Sequence, residues 1–378
     1  MKFMHLSDLH IGKRVNEYSM MEDQQYILAQ VLQLADEEKP EAVLIAGDIY
    51  DKSVPGGDAV ILFDRFLTQL AERKVPVFLI SGNHDSAERL AFGRKLMTES
   101  DVYISEVYEG KITKVTKTDQ YGPVHFYLIP FLKPAVVRHF MPEKEITDYQ
   151  SAMEAVVSSL DIDRTQRNVF LVHQFLTGAE RSESEEVSVG GLDDIAASVF
   201  DGIDYVALGH IHKPQWVMRE TVRYCGTLLK YSFSESGDEK TVTFVEMRQK
   251  GEVEIRERKL KPLRDMRRIK GSYLELTDPA CYRNTNREDY LAVTLTDDED
   301  IPEVMGKLSS IYPNIMKLEY DNRRTRAADF DYVPDMDGEK TPLELFDAFY
   351  EKQNGMPLSE EQRAYLSVLI EKIWEERL

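Results

Sequence analysis

The feature that most constrains this chain is a repeated ending. Five short runs rich in Val, Ile, Leu and Phe each lead into residues able to bind a metal or move a proton. KFMHLS runs into Asp8 and His10, EAVLIAG into Asp48, and VPVFLISG into Asn83 and His84. NVFLV runs into His173, and DYVALG into His210 and His212. Near-continuous apolar runs of this length read as strands buried on both faces. Helical patterns at residues 23–38 and 58–73 lie between the first three, with Ile27, Leu28, Val31, Leu32 and Ala35 sharing one face. Strand–helix–strand alternation makes a layered α/β domain, whose functional groups gather beyond the carboxyl ends of the strands. The five endings are therefore predicted to converge in space.

From about residue 102 to 257, alternation in KITKVTK, VHFYLI, KTVTFVEM and EVEIRERK predicts a second sheet. The expected fold is α/β, a two-sheet β-sandwich flanked by helices, over residues 1–260. A basic segment, 259–270, leads into a small α+β capping domain at 261–325. Within it SYLELTD, DYLAVTLTD and IMKLEYD read as strands and PEVMGKLSSIY as a helix. Residues 326–340 lack periodicity and read as a linker. In 341–378, Thr341-Pro342-Leu343-Glu344 is a capping box and Ser359-Glu360-Glu361-Gln362 opens a second helix. Leu345, Phe346, Phe349 and Tyr350 mark the apolar face of the first helix, and Tyr365, Leu366, Leu369, Ile370, Ile373 and Trp374 that of the second. Such helices either fold back on the main body or dock another protein.

Composition narrows the function. The 378 residues carry a net charge of −20, which excludes nucleic-acid binding by bulk charge alone. Local basic patches, or carboxylates offset by bound cations, remain compatible with it. Cys225 and Cys281 are too few for a disulfide scaffold or a metal knuckle, so a reducing cytoplasmic setting is expected. The opening MKFMHLSDLH is broken by Asp8 and is no secretory leader, and no apolar run is long enough to span a bilayer. No Gly-x4-Gly-Lys-Ser/Thr loop occurs, so the chain is not by itself a P-loop ATPase.

Each strand-end element is ordinary alone: Asp-x-His is common on surfaces, and Gly-Asp or Gly-Asn usually marks a turn. Together they form a mixed oxygen and nitrogen set, with His125 and His139 elsewhere. Such donors suit hard or borderline divalent cations such as Mn²⁺, Fe²⁺ or Zn²⁺. Seven are too many for one tetrahedral ion and suit two ions sharing a carboxylate, a pairing that clamps a phosphate and activates water.

Asp8-x-His10, Gly47-Asp48-x-x-Asp51, Gly82-Asn83-His84-Asp85, His173 and Gly209-His210-x-His212 resemble, in order and spacing, the blocks of the calcineurin-like metallophosphoesterase superfamily. Val172-His173-Gln174, Tyr224-x-Gly226-Thr227 and Tyr231-Ser-Phe-Ser-Glu235 narrow the resemblance to its double-strand-break repair nucleases. The resemblance implies one metal on Asp8, His10 and His212, another on Asn83, His173 and His210, and Asp48 bridging. It implies His84 as proton donor to the departing 3′ oxygen. Asp51 is expected to orient His84 and raise its pKa. Some relatives carry a histidine at the Asp51 position, so no second catalytic imidazole is expected here. Asp85 is read as a structural turn residue.

The resemblance further implies two ions, Mn²⁺ by preference, with 3′–5′ exonuclease action on duplex DNA and endonuclease action on single strands or hairpins. It implies an ATPase partner receiving the C-terminal helices. Lys13, Arg14 and Arg89 follow the first and third motifs and are candidate phosphate contacts, with a solvated charged face as the alternative. The 58–73 helix has a wider apolar surface than one core face needs. With the 86–98 stretch it either forms a homodimer contact or stays in the core.

Overall fold

The computed structural model describes residues 1–185, 194–322, 325 and 342–375. Two compact units divide the chain, Met1–Met266 and Arg267–Leu378.

The first unit contains two six-stranded sheets. One carries four parallel strands in the order Lys2–Leu6, Ala42–Ala46, Val77–Ile80 and Val102–Ile104. The other carries four parallel strands in the order Arg219–Tyr224, Tyr205–Gly209, Arg167–His173 and Gly122–Ile129. Antiparallel strands complete both, Gln215–Val217 and Thr113–Asp119 at the two edges of the second. The sheets pack face to face through alternate residues of each strand, Phe3, Leu44 and Phe78 against Phe126, Leu171 and Tyr205. Phe78 stacks on Phe126 with centroids 4.3 Å apart, and Phe3 meets Tyr205 edge-on at 5.4 Å. Burying each such ring stabilises the sandwich by roughly 2 kcal/mol.

Helices lie against the remaining faces. Met21–Glu38 buries the predicted stripe of Ile27, Leu28, Val31, Leu32 and Ala35, while Gly57–Glu72 buries Ala59, Phe63, Phe66 and Leu70. Tyr149–Ser159, opened by an Asp148 capping box, packs Met153 and Val156 beside Phe170 and Leu208.

Two sequence expectations are corrected. Thr241–Met247 and Val253–Lys259 extend the first sheet rather than the second: Thr241–Met247 pairs antiparallel with Lys2–Leu6, Phe3 opposite Val245. Alternation marks a strand but not its neighbour, and the open edge of Lys2–Leu6 decides the partner. In the second unit SYLELTD is not a strand. Tyr273–Thr277 is a short helix, because Ser272 and Glu275 form a reciprocal capping box. The third strand is Met266–Gly271, within the basic stretch, beside Tyr290–Leu295 and Ile315–Tyr320. Leu276, Leu291, Val293, Leu308 and Tyr312 form this unit's core.

The helix expected at PEVMGKLSSIY spans Val304–Ser309, and the tail forms Pro342–Asn354 and Glu360–Glu375. The linker 326–340, the Thr341 cap, Arg323, Arg324, Arg326 and the side chains of Ile373 and Trp374 lie outside the described residues. Among the described residues no helix is long and apolar enough to cross a membrane.

Candidate metal centre

The five strand ends meet at one edge of the sandwich, where backbone bonds stitch the loops together. Asp8 N–H donates to the Gly47 carbonyl and His10 N–H to the Asp48 carbonyl, each at 3.0 Å. Across the seam between the sheets, His210 N–H donates to Asp8 Oδ1 at 2.9 Å. Four of these residues hold left-handed backbone, Asp8 (φ +52°), His10 (+44°), Asp48 (+50°) and His210 (+100°). Such conformations cost roughly 1 kcal/mol or more each and persist where surrounding bonds over-determine them. Two glycines permit the close approach. A Cβ on Gly82 would lie 2.1 Å from Asp48 Oδ1, and one on Gly209 would lie 1.9 Å from the Ala46 carbonyl oxygen.

All seven candidate donors come together. Asp8, His10 and His212 form one group and Asp8, Asp48 and His173 another, their donor atoms within 4.8 Å of one another. Asn83 Oδ1 joins the second, 2.9 Å from both His173 Nε2 and His210 Nδ1. Asp48 Oδ2 faces both sides, 3.3 Å from His173 Nε2 and 3.7 Å from His10 Nε2. His10 Nε2 and His212 Nε2 are 3.1 Å apart.

The electrostatics match a cation site. Burial, reinforced by Asp48, pushes the Asp8 carboxyl up to about 6. Burial would also raise Asp48, but His173 and His10 hold it below the usual carboxylate range. Burial opposes protonation of His173, yet Asp48 outweighs it and lifts the imidazole to about 9. Burial lowers His10, and it lowers His210 to about 3. His173 Nδ1 donates to the Ala46 carbonyl at 2.8 Å, which aims Nε2 inward at Asn83 and Asp48. Buried His10 Nδ1 has no hydrogen-bond partner. Carboxylate and amide oxygens converging with imidazole nitrogens out of water fit a pair of divalent cations, which would take the place of the proton that Asp48 holds on His173.

His84 belongs to a third group with His10 and Asp48. Its N–H donates to Asp48 Oδ1 at 2.9 Å, and its ring meets His10 edge-on at 4.8 Å. The expected pairing with the Asp51 carboxylate is corrected: His84 Nδ1 lies 3.0 Å from the Asp51 main-chain carbonyl. The Asp51 carboxylate instead takes Lys13 Nζ at 2.8 Å and lies 3.8 Å from His10 Nδ1. A half-buried lysine salt bridge holds that side chain away from His84. The carbonyl only accepts, so Nδ1 carries a proton and Nε2 is left for proton exchange. Asp85 has the turn role read from sequence: its carboxylate accepts N–H bonds from Ile49, Tyr50 and Gly82 at 2.9–3.1 Å, tying two motif loops.

Arg14 is exposed in the strand Arg14–Val15, with its guanidinium on the Glu17 carbonyl, and Arg89 is exposed in the helix Ala87–Leu90. His5, just ahead of the first motif, is buried and bonded to the Tyr205 hydroxyl at 3.0 Å. Sequence reading assigned no role to the residues behind the donors. Gln24 donates to the His10 carbonyl at 2.7 Å, Tyr231 to the Leu9 carbonyl at 2.8 Å, and Ser7 to the Asp8 carboxylate. A glutamine beside an apolar helix stripe was the available signal for Gln24. Ser184 and Glu185, which contact His212, lie in an aperiodic segment that offered none.

This fold and donor cluster define a calcineurin-like phosphoesterase, and residues 1–214 match that family. Residues 262–354 match a family described as the type 5 capsule protein repressor C-terminal domain. The SbcD subunit of the nuclease SbcCD from Staphylococcus epidermidis is 33% identical over 322 residues, 84% of this chain and 85% of that protein. The chain belongs to the SbcD family of phosphoesterases. Among solved structures, a dimetal phosphatase from Danio rerio aligns over 70% of this chain and 98% of its own, with 13% identity and a TM-score of 0.43. A Thermus thermophilus protein aligns over 68% and 98%, with 13% identity and a TM-score of 0.39.

Proposed function

We propose that this chain is the nuclease subunit of an SbcCD-type complex, a two-metal DNA phosphodiesterase working with an SbcC-type ATPase. The observation that carries the reading is the convergence of seven donors and His84, from strand ends between residues 8 and 212, on one buried edge. Asp8, His10 and His212 would hold one divalent ion, Mn²⁺ by preference, and Asn83, His173 and His210 the other, with Asp48 available to both. Bound there, the ions supply Lewis acidity toward the phosphodiester and acidify the attacking water. His84, its Nδ1–H on the Asp51 carbonyl, gives a proton from Nε2 to the departing 3′ oxygen. Asp51 acts through that carbonyl. Lys13, Arg14 and Arg89 contact the DNA backbone.

The activity is 3′–5′ exonuclease on duplex DNA and endonuclease on single strands and hairpins, in the cytoplasm and on the nucleoid. Exposed Leu345, Phe346, Phe349, Tyr365 and Leu369 on the two tail helices support docking of the ATPase. Phe92 and Leu96, 83% and 74% exposed, with Val60 and Ile61, support a homodimer face.

The test is cleavage of end-labelled duplex, hairpin and single-stranded DNA with Mn²⁺, the ATPase partner and ATP. Mn²⁺-dependent cutting that disappears in Asp48→Ala supports the reading. Turnover of a small phosphodiester with no DNA cleavage overturns it. Deleting 341–378 is expected to abolish ATPase capture and spare Mn²⁺ binding.

A further inference from the structure

We propose that Ser184 and Glu235 are positioning residues for His212, fixing its imidazole as a metal donor through a single chain of hydrogen bonds. This rests on the metal-donor reading of His212 above. Lys240 Nζ donates to Glu235 Oε2 at 2.6 Å and to the His212 carbonyl at 2.8 Å, with Glu235 and Lys240 both buried. Ser184 Oγ lies 2.6 Å from Glu235 Oε1 and 2.6 Å from His212 Nδ1.

The lysine-paired end sets the order of protons along this chain, with Ser182 Oγ, 2.7 Å from Ser184 Oγ, as a side branch. A lysine-paired carboxylate can only accept, so the Ser184 hydroxyl donates to Glu235. The serine oxygen then accepts, and the proton it takes is the one on His212 Nδ1. That fixes the tautomer and leaves the Nε2 lone pair facing His10 Nε2, 3.1 Å away. The carboxylate, relayed by the hydroxyl, also makes the imidazole a stronger donor, as groups behind metal-bound histidines do.

The same segment grips His212 a second time. The His212 N–H donates to Glu185 Oε1 at 2.7 Å. Glu183 N–H donates to Ser234 Oγ at 3.1 Å, so the segment is seated on the turn that carries Glu235. Both ring and backbone of His212 are thereby set from outside the five strand ends.

The test is a titration of the full-length protein with Mn²⁺, following the electron paramagnetic resonance signal of the free ion. Wild type is expected to bind two ions. Ser184→Ala, which keeps the Lys240–Glu235 pair and hence the fold, should weaken one ion by about 10- to 100-fold and leave the other unchanged. Ser184→Thr keeps the hydroxyl and should restore the affinity. Because the links act as one chain, Ser184→Ala/Glu235→Gln should bind no more weakly than Glu235→Gln alone. Wild-type affinity for both ions in Ser184→Ala, or a Ser184→Thr variant as weak as Ser184→Ala, overturns the positioning role. A wild-type protein that takes up fewer than two Mn²⁺ ions overturns the underlying metal reading instead.

Discussion

The first sheet sends three strand ends to the site and the second sends two, and the chemistry divides between them. From the first come every oxygen donor, Asp8, Asp48 and Asn83, together with His10 and His84. From the second come imidazoles alone, His173, His210 and His212. One wall therefore holds the buried negative charge and the other faces it with nitrogen. Neither wall makes a site by itself, and the spacing between them is set by the aromatic packing of the sandwich and by the contact of Gly209 with Ala46. Close packing transmits position, so a donor's place depends on the core beneath it.

The division can be broken from the charged side. Asp48 is the residue that faces donors from both walls, so Asp48→Ala is expected to lower nuclease turnover by on the order of a thousandfold. Steady-state cleavage of labelled DNA measures it, and retention of more than a tenth of the activity would show that the walls do not meet at Asp48. Next in size is His84→Ala, with about a hundredfold loss of turnover while two Mn²⁺ ions still bind. Loss of an ion in that variant would make His84 a donor rather than a proton carrier.

The seam itself is probed by Gly209→Ala. Its new methyl would meet a backbone oxygen that cannot swing aside, so a destabilisation of about 3 kcal/mol is expected in urea unfolding. Unchanged stability would mean the sheets can separate at no cost.

The smallest effect lies at the far end of the second wall. Burial favours a protonated Asp119, but the Arg167 guanidinium bonded to it holds the carboxyl below its ordinary range. A carboxyl depressed in the folded state stabilises above its unfolded pKa and loses that contribution as pH falls through the folded value. Asp119→Asn should therefore cost about 1 kcal/mol at pH 7, and the gap to wild type should begin to narrow as pH falls below about 4. Thermal unfolding across pH 3–7 checks it, and a gap that widens on acidification would contradict the sign.

The donors were legible because each motif couples a buried strand to a polar end, and both signals are local. Sheet membership was not, since Thr241–Met247 alternates in the same manner wherever it pairs. SYLELTD was read as a strand from its apolar alternation, and the Ser272–Glu275 capping box prevails in a segment that buries only Leu276. Asp51 was placed near His84 by sequence, but whether carboxylate or carbonyl faces the ring depends on Lys13, which belongs to a different loop. Ser184 contacts a histidine 28 positions away, a relation with no local trace.

The antiparallel partnership of Lys2–Leu6 with Thr241–Met247 has a consequence for how the chain comes into being. On the ribosome the earliest strand is made long before the neighbour that closes its open side, so it waits beside Ala42–Ala46 with half its edge unpaired. The loop that must close is among the longest the unit contains, and closing it comes late and slowly. His210 and His212 likewise join the candidate site only in the last part of this unit's synthesis. A chain interrupted before that point would expose a bare strand edge and hold an incomplete set of candidate donors.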